Sequence, residues 1–194
     1  MPRASALLFV LSLLPLAACG TPESPEEAIA SSFLRFLDAL AQEDGGDAAD
    51  EVSRGTLDWF QEVADRAVED DGLSGARPAM RFAVHAARMT WQERRLARMD
   101  GEALLAAMVD EGWVHRYLDG ELAFEVVVVE DYDARIALGA SNQPKRQQLA
   151  FVLEDTRWKL DLAAHEREAD ALADQAFRWA GGGEKDAVAM VLGR

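Results

Sequence analysis

The sequence predicts an α+β fold in which a group of helices comes first and a curved antiparallel sheet follows. Apolar residues recur at helical spacing up to Gly112 and at alternate positions from Trp113 to Leu162, as expected for helices followed by strands. The chain has 194 residues, 49% of them hydrophobic, which suits one globular domain with its own core. This composition also excludes wholesale disorder.

Residues 1–18 have the layout of a secretory signal. Arg3 precedes an apolar stretch, residues 4–18, that is shorter than the roughly 17–25 residues with which a helix spans a bilayer. Small residues close the stretch, as they do before a cleavage site. We therefore predict that residues 1–18 are a signal peptide that is removed.

The end of this stretch, Leu16-Ala17-Ala18-Cys19, resembles the lipobox of bacterial lipoproteins. The resemblance implies that Cys19 is the lipid attachment site and the first residue of the mature chain, and that residues 19–24 form a lipidated tether. Gly20 stands where the family's inner-membrane retention signal would be an aspartate, which implies the outer membrane of a Gram-negative cell envelope. An ordinary secretory cut that leaves a free thiol is the alternative.

The first predicted helix begins at Ser24-Pro25-Glu26-Glu27. Ser24 is placed to cap the helix, Pro25 occupies its first turn, and Glu27 completes a capping box. A second helical region covers residues 47–69, with a weak point at Gly55 and a new cap at Thr56. Further helices are predicted over residues 78–99, 101–111, 166–179 and 187–192.

The predicted strands are joined by short turns, which require antiparallel neighbours. The run Val126–Val129 is apolar on both faces, as in a central strand. The strands are expected around residues 113–118, 122–130, 134–138, 149–153 and 158–162.

The last predicted strand, Thr156-Arg157-Trp158-Lys159-Leu160-Asp161-Leu162, resembles the closing strand of the nuclear transport factor 2-like, or ketosteroid-isomerase-like, family. The resemblance covers a domain at residues 25–163 and implies that the sheet and helices form a cone. The turn lacks the family's usual glycine, and a C-terminal helical extension at residues 164–194 lies outside the cone. A cystatin-like or unrelated α+β layer is the alternative.

Enzymes of that family place an acid or base between sheet and helices, so the family resemblance makes Asp131, Tyr132, Asp133 and His115 candidates here. We expect Asp131 and Asp133 to be exposed, because aspartate is common in solvated turns. Trp113, His115 and Tyr117 share one side of a predicted strand and are the candidate pocket lining. Aromatic residues at this spacing also pack in cores, which is the alternative.

Charge is unevenly distributed along the chain. The net charge of −15 argues against a nucleic-acid partner, because phosphate binding needs clustered cations. Residues 20–75 carry 15 acidic and three basic side chains. The next segment, residues 76–100, either pairs with these acidic helices or receives an anionic partner. It contains two acidic residues and six arginines, namely Arg77, Arg81, Arg88, Arg94, Arg95 and Arg98.

The sequence predicts no metal site and no cofactor. A single cysteine excludes an internal disulfide and a cysteine-based zinc cluster, and the carboxylates at residues 44–51 lack the spacing of a calcium loop. No catalytic residue is assigned. We predict a lipid-anchored, non-catalytic envelope protein that binds an envelope protein or a small hydrophobic ligand. The alternative is a small pocket enzyme of the isomerase or dehydratase type that uses a carboxylate or His115.

Overall fold

The computed structural model describes residues 24–113, 123–139 and 147–193 and confirms the α+β class. Its four strands form one antiparallel sheet in the order β1-β2-β3-β4, with β1 at Ala123–Glu130, β2 at Asp133–Gly139, β3 at Gln147–Glu154 and β4 at Arg157–Asp161. The helices in these ranges are α1 (Pro25–Ala41), α2 (Gly45–Asp50), α3 (Arg54–Val68), α4 (Pro78–Thr90), α5 (Glu93–Leu96), α6 (Gly101–Asp110), α7 (Glu166–Ala180) and α8 (Glu184–Leu192).

The alternating pattern correctly places the buried side of the sheet. Buried residues occur at every second position on β3 and β4, as the period of a pleated strand requires, and on β2 Ala137 is buried in addition to the alternating pair. The β1–β2 register shifts between Val126 and Val128, which marks a bulge. The buried pairs are Ala134 and Ile136 on β2, Leu149 and Phe151 on β3, and Trp158 and Leu160 on β4.

Helix α1 covers the sheet and begins as predicted. The N–H of Glu27 donates to the hydroxyl of Ser24, and the N–H of Ser24 donates to the carboxylate of Glu27, so the capping box is complete. The ring of Phe33 meets the ring of Phe151 edge to face, with centroids 6.2 Å apart. The helical layer and the sheet therefore share one core.

The predicted helix over residues 47–69 is two helices, and its cap at Thr56 is wrong. The cap of α3 is Ser53, whose hydroxyl accepts from the N–H of Thr56 at 3.0 Å. The chain between α2 and α3 pairs with β4 instead of staying helical. The N–H of Ser53 donates to the carbonyl of Leu160, and the N–H of Leu160 donates to the carbonyl of Glu51, both at 2.9 Å.

The predicted helix over residues 78–99 is also interrupted. Helix α4 ends at Thr90, and Trp91 adopts an extended conformation that places its ring in the core. The ring of Trp91 stacks on Trp113, with centroids 5.2 Å apart. Burial of this large side chain outweighs the helical pattern of the sequence. Trp113 itself lies in the turn after α6, and residues 114–122 lie outside the described residues.

Two helices, α7 and α8, follow the sheet, and both pack on α4. Ala173 of α7 and Ala187 and Val188 of α8 are buried there. In the described parts of the chain, no helix is long and apolar enough to cross a bilayer.

Candidate functional site

The predicted pocket lining is only partly covered by the structure. Trp113 is buried against Trp91, so its ring belongs to the core at the point where the helical half ends. His115 and Tyr117 lie outside the described residues, as does Cys19. A cavity lined by these three aromatic side chains therefore stays a prediction.

The candidates in the β1–β2 turn are all exposed. Asp131 and Asp133 face solvent, which confirms the expectation that they are turn residues. Tyr132 between them is 68% exposed. Asp131 has a φ of 39°, a left-handed conformation that aspartate tolerates better than most residues. None of the three is placed to act as a buried acid or base.

A groove of about 260 Å³ lies where the end of α3 meets the start of α5. The guanidinium of Arg88 donates at 2.9 Å to the carbonyls of Ala67 and Arg66, and it also donates to the carbonyl of Glu69. These carbonyls lie at the negative end of the α3 dipole, so Arg88 caps the C-terminal end of that helix and its charge offsets the dipole. The groove is lined by Ala67, Val68, Glu69, Asp70, Arg88, Trp91, Glu93 and Leu96.

The indole of Trp91 contacts one ring and one cation. Trp113 stacks on it, and the guanidinium carbon of Arg95 lies 5.8 Å from its ring centroid, within cation–π range. Its Nε1 has no hydrogen-bond partner among the described residues and is shielded from solvent. Glu69, Asp70 and Glu93 contribute carboxylates to the lining of the groove, and nothing in its geometry assembles an acid–base pair.

Among the residues that the structure describes, the most deeply buried carboxylate is that of Glu51, which is 5% exposed. Its Oε1 accepts from Arg35 Nε at 2.9 Å and from Arg157 Nη2 at 2.7 Å. Its Oε2 accepts from Arg35 Nη2 at 3.1 Å and lies 2.9 Å from the hydroxyl of Ser32. Glu51 therefore joins α1, the α2–α3 link and β4.

Two opposing effects act on the pKa of Glu51. Burial by itself raises that pKa, but hydrogen bonds from Arg35 and Ser32 and the charges of Arg35 and Arg157 outweigh burial. The pKa of Glu51 therefore lies below its usual range, and the group stays ionised. Sequence reasoning missed this cluster, because Arg157 lies 106 positions away from Glu51.

A second buried titratable group, His85 of α4, faces α8. Its Nε2 lies 3.2 Å from Glu184 Oε2, while Arg81 Nη2 lies 2.8 Å from Glu184 Oε1. Burial has the largest effect on the pKa of His85 and lowers it, the charges of Lys185 and Arg88 lower it further, and the hydrogen bond and charge of Glu184 oppose them without restoring the usual value. His85 is therefore held neutral, and no sequence pattern had singled it out.

Half of the arginines in residues 76–100 make contacts within the chain, which was one of the two alternatives that the sequence left open. Their partners differ from those expected, however. Arg77 bridges to Glu166 and Asp170 of α7, and Arg81 bridges to Glu184 of α8. The acidic helices near the N-terminus supply only carbonyls, to Arg88. The other arginines of the segment, Arg94, Arg95 and Arg98, are exposed.

Among the residues that the structure describes, no group of three or more His, Cys, Asp or Glu side chains could hold a metal ion. The chain matches no family model, and comparison with curated proteins and with solved structures finds no similar protein.

Proposed function

We propose that this chain is a lipid-anchored protein of the bacterial cell envelope whose folded body is a non-catalytic interaction module. The observation that carries the proposal is Leu16-Ala17-Ala18-Cys19 at the end of an apolar stretch, in a chain with no other cysteine. The lipid is attached to Cys19, and the protein resides at the outer membrane, since Gly20 follows the cysteine.

The start of α1 makes the anchor short. Ser24 already caps the helix, so only four residues lie between Cys19 and the folded body, and the five steps from Cys19 to Ser24 reach about 18 Å at full extension. A single acyl chain binds a membrane only marginally, so durable attachment needs several chains on the cysteine. A body with a net charge near −15 is repelled by an anionic leaflet, so the lipid holds the protein in place.

We further propose that residues 25–163 form the cone of the nuclear transport factor 2-like family. The meander of four strands, the bulge in β1 and the packing of α1 across the sheet support this assignment. Residues 164–194 are an extension to that cone, in keeping with the packing of α7 and α8 on α4 rather than on the sheet.

The body's charges and apolar side chains support an interaction role over a catalytic one. Glu51 and His85 are each bound to partners that join structural elements. Large apolar side chains, in contrast, lie on the outside of α7. The isomerase or dehydratase alternative now depends on His115, because Asp131 and Asp133 are solvated turn residues.

Lipidation is tested by expressing the full chain in a Gram-negative host with radiolabelled palmitate. We expect label on the wild type, a mature mass starting at an acylated Cys19, and fractionation with the outer membrane. Cys19→Ser should abolish the label and leave the leader attached. The matched control restores a thiol two positions away, as Thr21→Cys in the Cys19→Ser chain, and should stay unlabelled. An unmodified Cys19 thiol in the wild type would contradict the proposal.

A further inference from the structure

Helix α8 is joined to α7 by three consecutive exposed glycines, residues 181–183. Gly181 ends α7 with a φ of 62°, and Gly183 is extended where α8 begins. The N–H of Gly183 donates to Asp186 Oδ2 at 2.7 Å, so α8 is capped by its own residue and not by another element. Because glycine has no side chain to restrict its backbone, residues 181–183 can act as a hinge between the two helices.

The apolar attachment of α8 is small. Of its nine residues, Ala187 and Val188 are buried. A helix of this length is marginal in water by itself, so its contacts with α4 and α7 decide whether it stays in place. Helix α7 has further contacts with α4 that do not involve α8, namely the ring of Phe177 on Phe82 and the ion pairs of Arg77. Detachment of α8 therefore leaves α7 with contacts of its own.

One carboxylate joins α8 to two polar groups of α4. Glu184, the first residue of α8, has its Oε1 at 2.8 Å from Arg81 Nη2 and its Oε2 at 3.2 Å from His85 Nε2. Arg81 and His85 are four positions apart, so they share one face of α4. An ionised carboxylate only accepts hydrogen bonds, so Nε2 of His85 carries the hydrogen and a further proton is taken up at Nδ1.

A charge on His85 is poorly accommodated while α8 is in place. His85 is 5% exposed, and burial is the largest effect that lowers its pKa. Lys185 of α8 and Arg88 of α4 add positive charge, and Glu184 opposes these effects without restoring the usual pKa. A proton on His85 therefore costs free energy that removal of α8 from the imidazole would relieve.

The other elements packed on α4 direct their charges elsewhere. Helix α7 places Glu166 and Asp170 on Arg77, eight positions before His85. Helix α3 meets Arg88 through backbone carbonyls, and the charged side chains of α5 are exposed. The charges that act on His85 thus come from α8 and from its own helix.

We propose that residues 181–192 form a strap, with the glycines as its hinge, that covers His85 at neutral pH and detaches from α4 in acid. Detachment exposes the imidazole to water and moves Lys185 away from it. The pKa of His85 is lowered in the attached form, so the detached form takes up the proton first as the pH falls. Attachment is therefore strongest above the ordinary pKa of 6.5 and weakens below it.

Hydrogen exchange of the purified full chain, corrected for the intrinsic rate at each pH, measures the detachment. Amides of α8 should exchange faster than those of α1, because the strap opens without the rest of the fold. Their protection should fall severalfold between about pH 7.5 and about pH 5. In His85→Gln, which keeps a donor group but takes up no proton, this fall should be absent. Protection of α8 as strong as that of α1, or the same fall in His85→Gln, would overturn the proposal.

A strap that is detached by mutation tests the coupling from the opposite direction. Ala187→Asp places a charge in the buried contact of α8 and should detach the strap at neutral pH. Met190→Asp adds the same charge at a position that is 53% exposed, and it should leave the strap attached. The pKa of His85, followed by NMR through the resonance that His85→Gln lacks, should be higher in Ala187→Asp than in the wild type and Met190→Asp. An equal pKa in all three chains, or loss of protection in α1 together with α8 in Ala187→Asp, would show that α8 is not a separate strap.

Discussion

Helices α1 and α7 are of similar length, but they are attached to the rest of the molecule in different ways. Helix α1 buries six residues in its contacts with the sheet and α2, and α7 buries Ala173. Both attachments include arginine–carboxylate pairs. In the first, Glu51 is buried with several donors, and in the second, Arg77 is half exposed where it meets Glu166 and Asp170.

An arginine–carboxylate pair therefore contributes differently to stability in the two regions. A buried carboxylate has lost its water and needs every donor it has, whereas an exposed pair can be replaced by water at little cost. We expect the sheet and α1 to open only with the whole domain, and α7 to open more readily.

Glu51→Gln should have the largest effect. It removes the negative charge that Arg35 and Arg157 share and replaces one of the two acceptor oxygens with an NH2 donor. The free energy of unfolding should fall by about 2–4 kcal/mol, less than for a fully buried pair because both arginines reach solvent. Urea unfolding of the full chain measures the change. Glu62→Gln, which breaks the exposed pair with Arg66, should cost about 0.3–0.5 kcal/mol. Equal losses in the two variants would refute the contrast.

Glu184→Gln tests the second attachment. It weakens the contacts to Arg81 and His85 and should cost about 1 kcal/mol, since these groups are partly exposed. Hydrogen exchange should show faster exchange in α7 and α8 with unchanged protection in α1. An equal loss of protection in α1, α7 and α8 would mean that α7 and α8 unfold together with the sheet.

Thr156→Gly should strengthen the sheet region. Asp155 and Thr156 form the β3–β4 turn with φ of 47° and 68°, and a β-branched residue is strained in the left-handed region. Relief of this strain exceeds the entropy cost of glycine, so stability should rise by about 0.5–1 kcal/mol. Glu130→Gly, at the end of β1, is the control and should reduce stability. A loss in both variants would show that the turn is unstrained.

Acid should weaken the α4–α8 contact by a smaller amount. Burial lowers the pKa of His85, so the unfolded chain binds its proton first as the pH falls. Stability from this group is complete above its unfolded pKa of 6.5 and is lost as the pH falls towards the folded value. His85→Gln should flatten the stability profile between about pH 7 and pH 5. If the slope of stability against pH were unchanged in His85→Gln, groups other than His85 would be responsible for the pH dependence.

Local patterns predicted local structure in this chain. The capping box at Ser24 and the alternation on β3 and β4 both depend on neighbours within a few residues, and both are confirmed. The cap at Ser53 was missed because β4 pairs with the preceding segment from more than 100 positions away. Arg157 lies 106 positions from Glu51 and Glu184 lies 99 positions from His85, so no spacing rule could bring these pairs together.

The stacked indoles of Trp91 and Trp113 give the molecule an internal optical marker. Two indoles 5.2 Å apart couple their electronic transitions, so they should produce a paired band in circular dichroism that single tryptophans lack. The band would disappear when Trp113 leaves its site, even if every helix stayed intact. A spectrometer could therefore follow the junction between the helices and the sheet in the unlabelled protein.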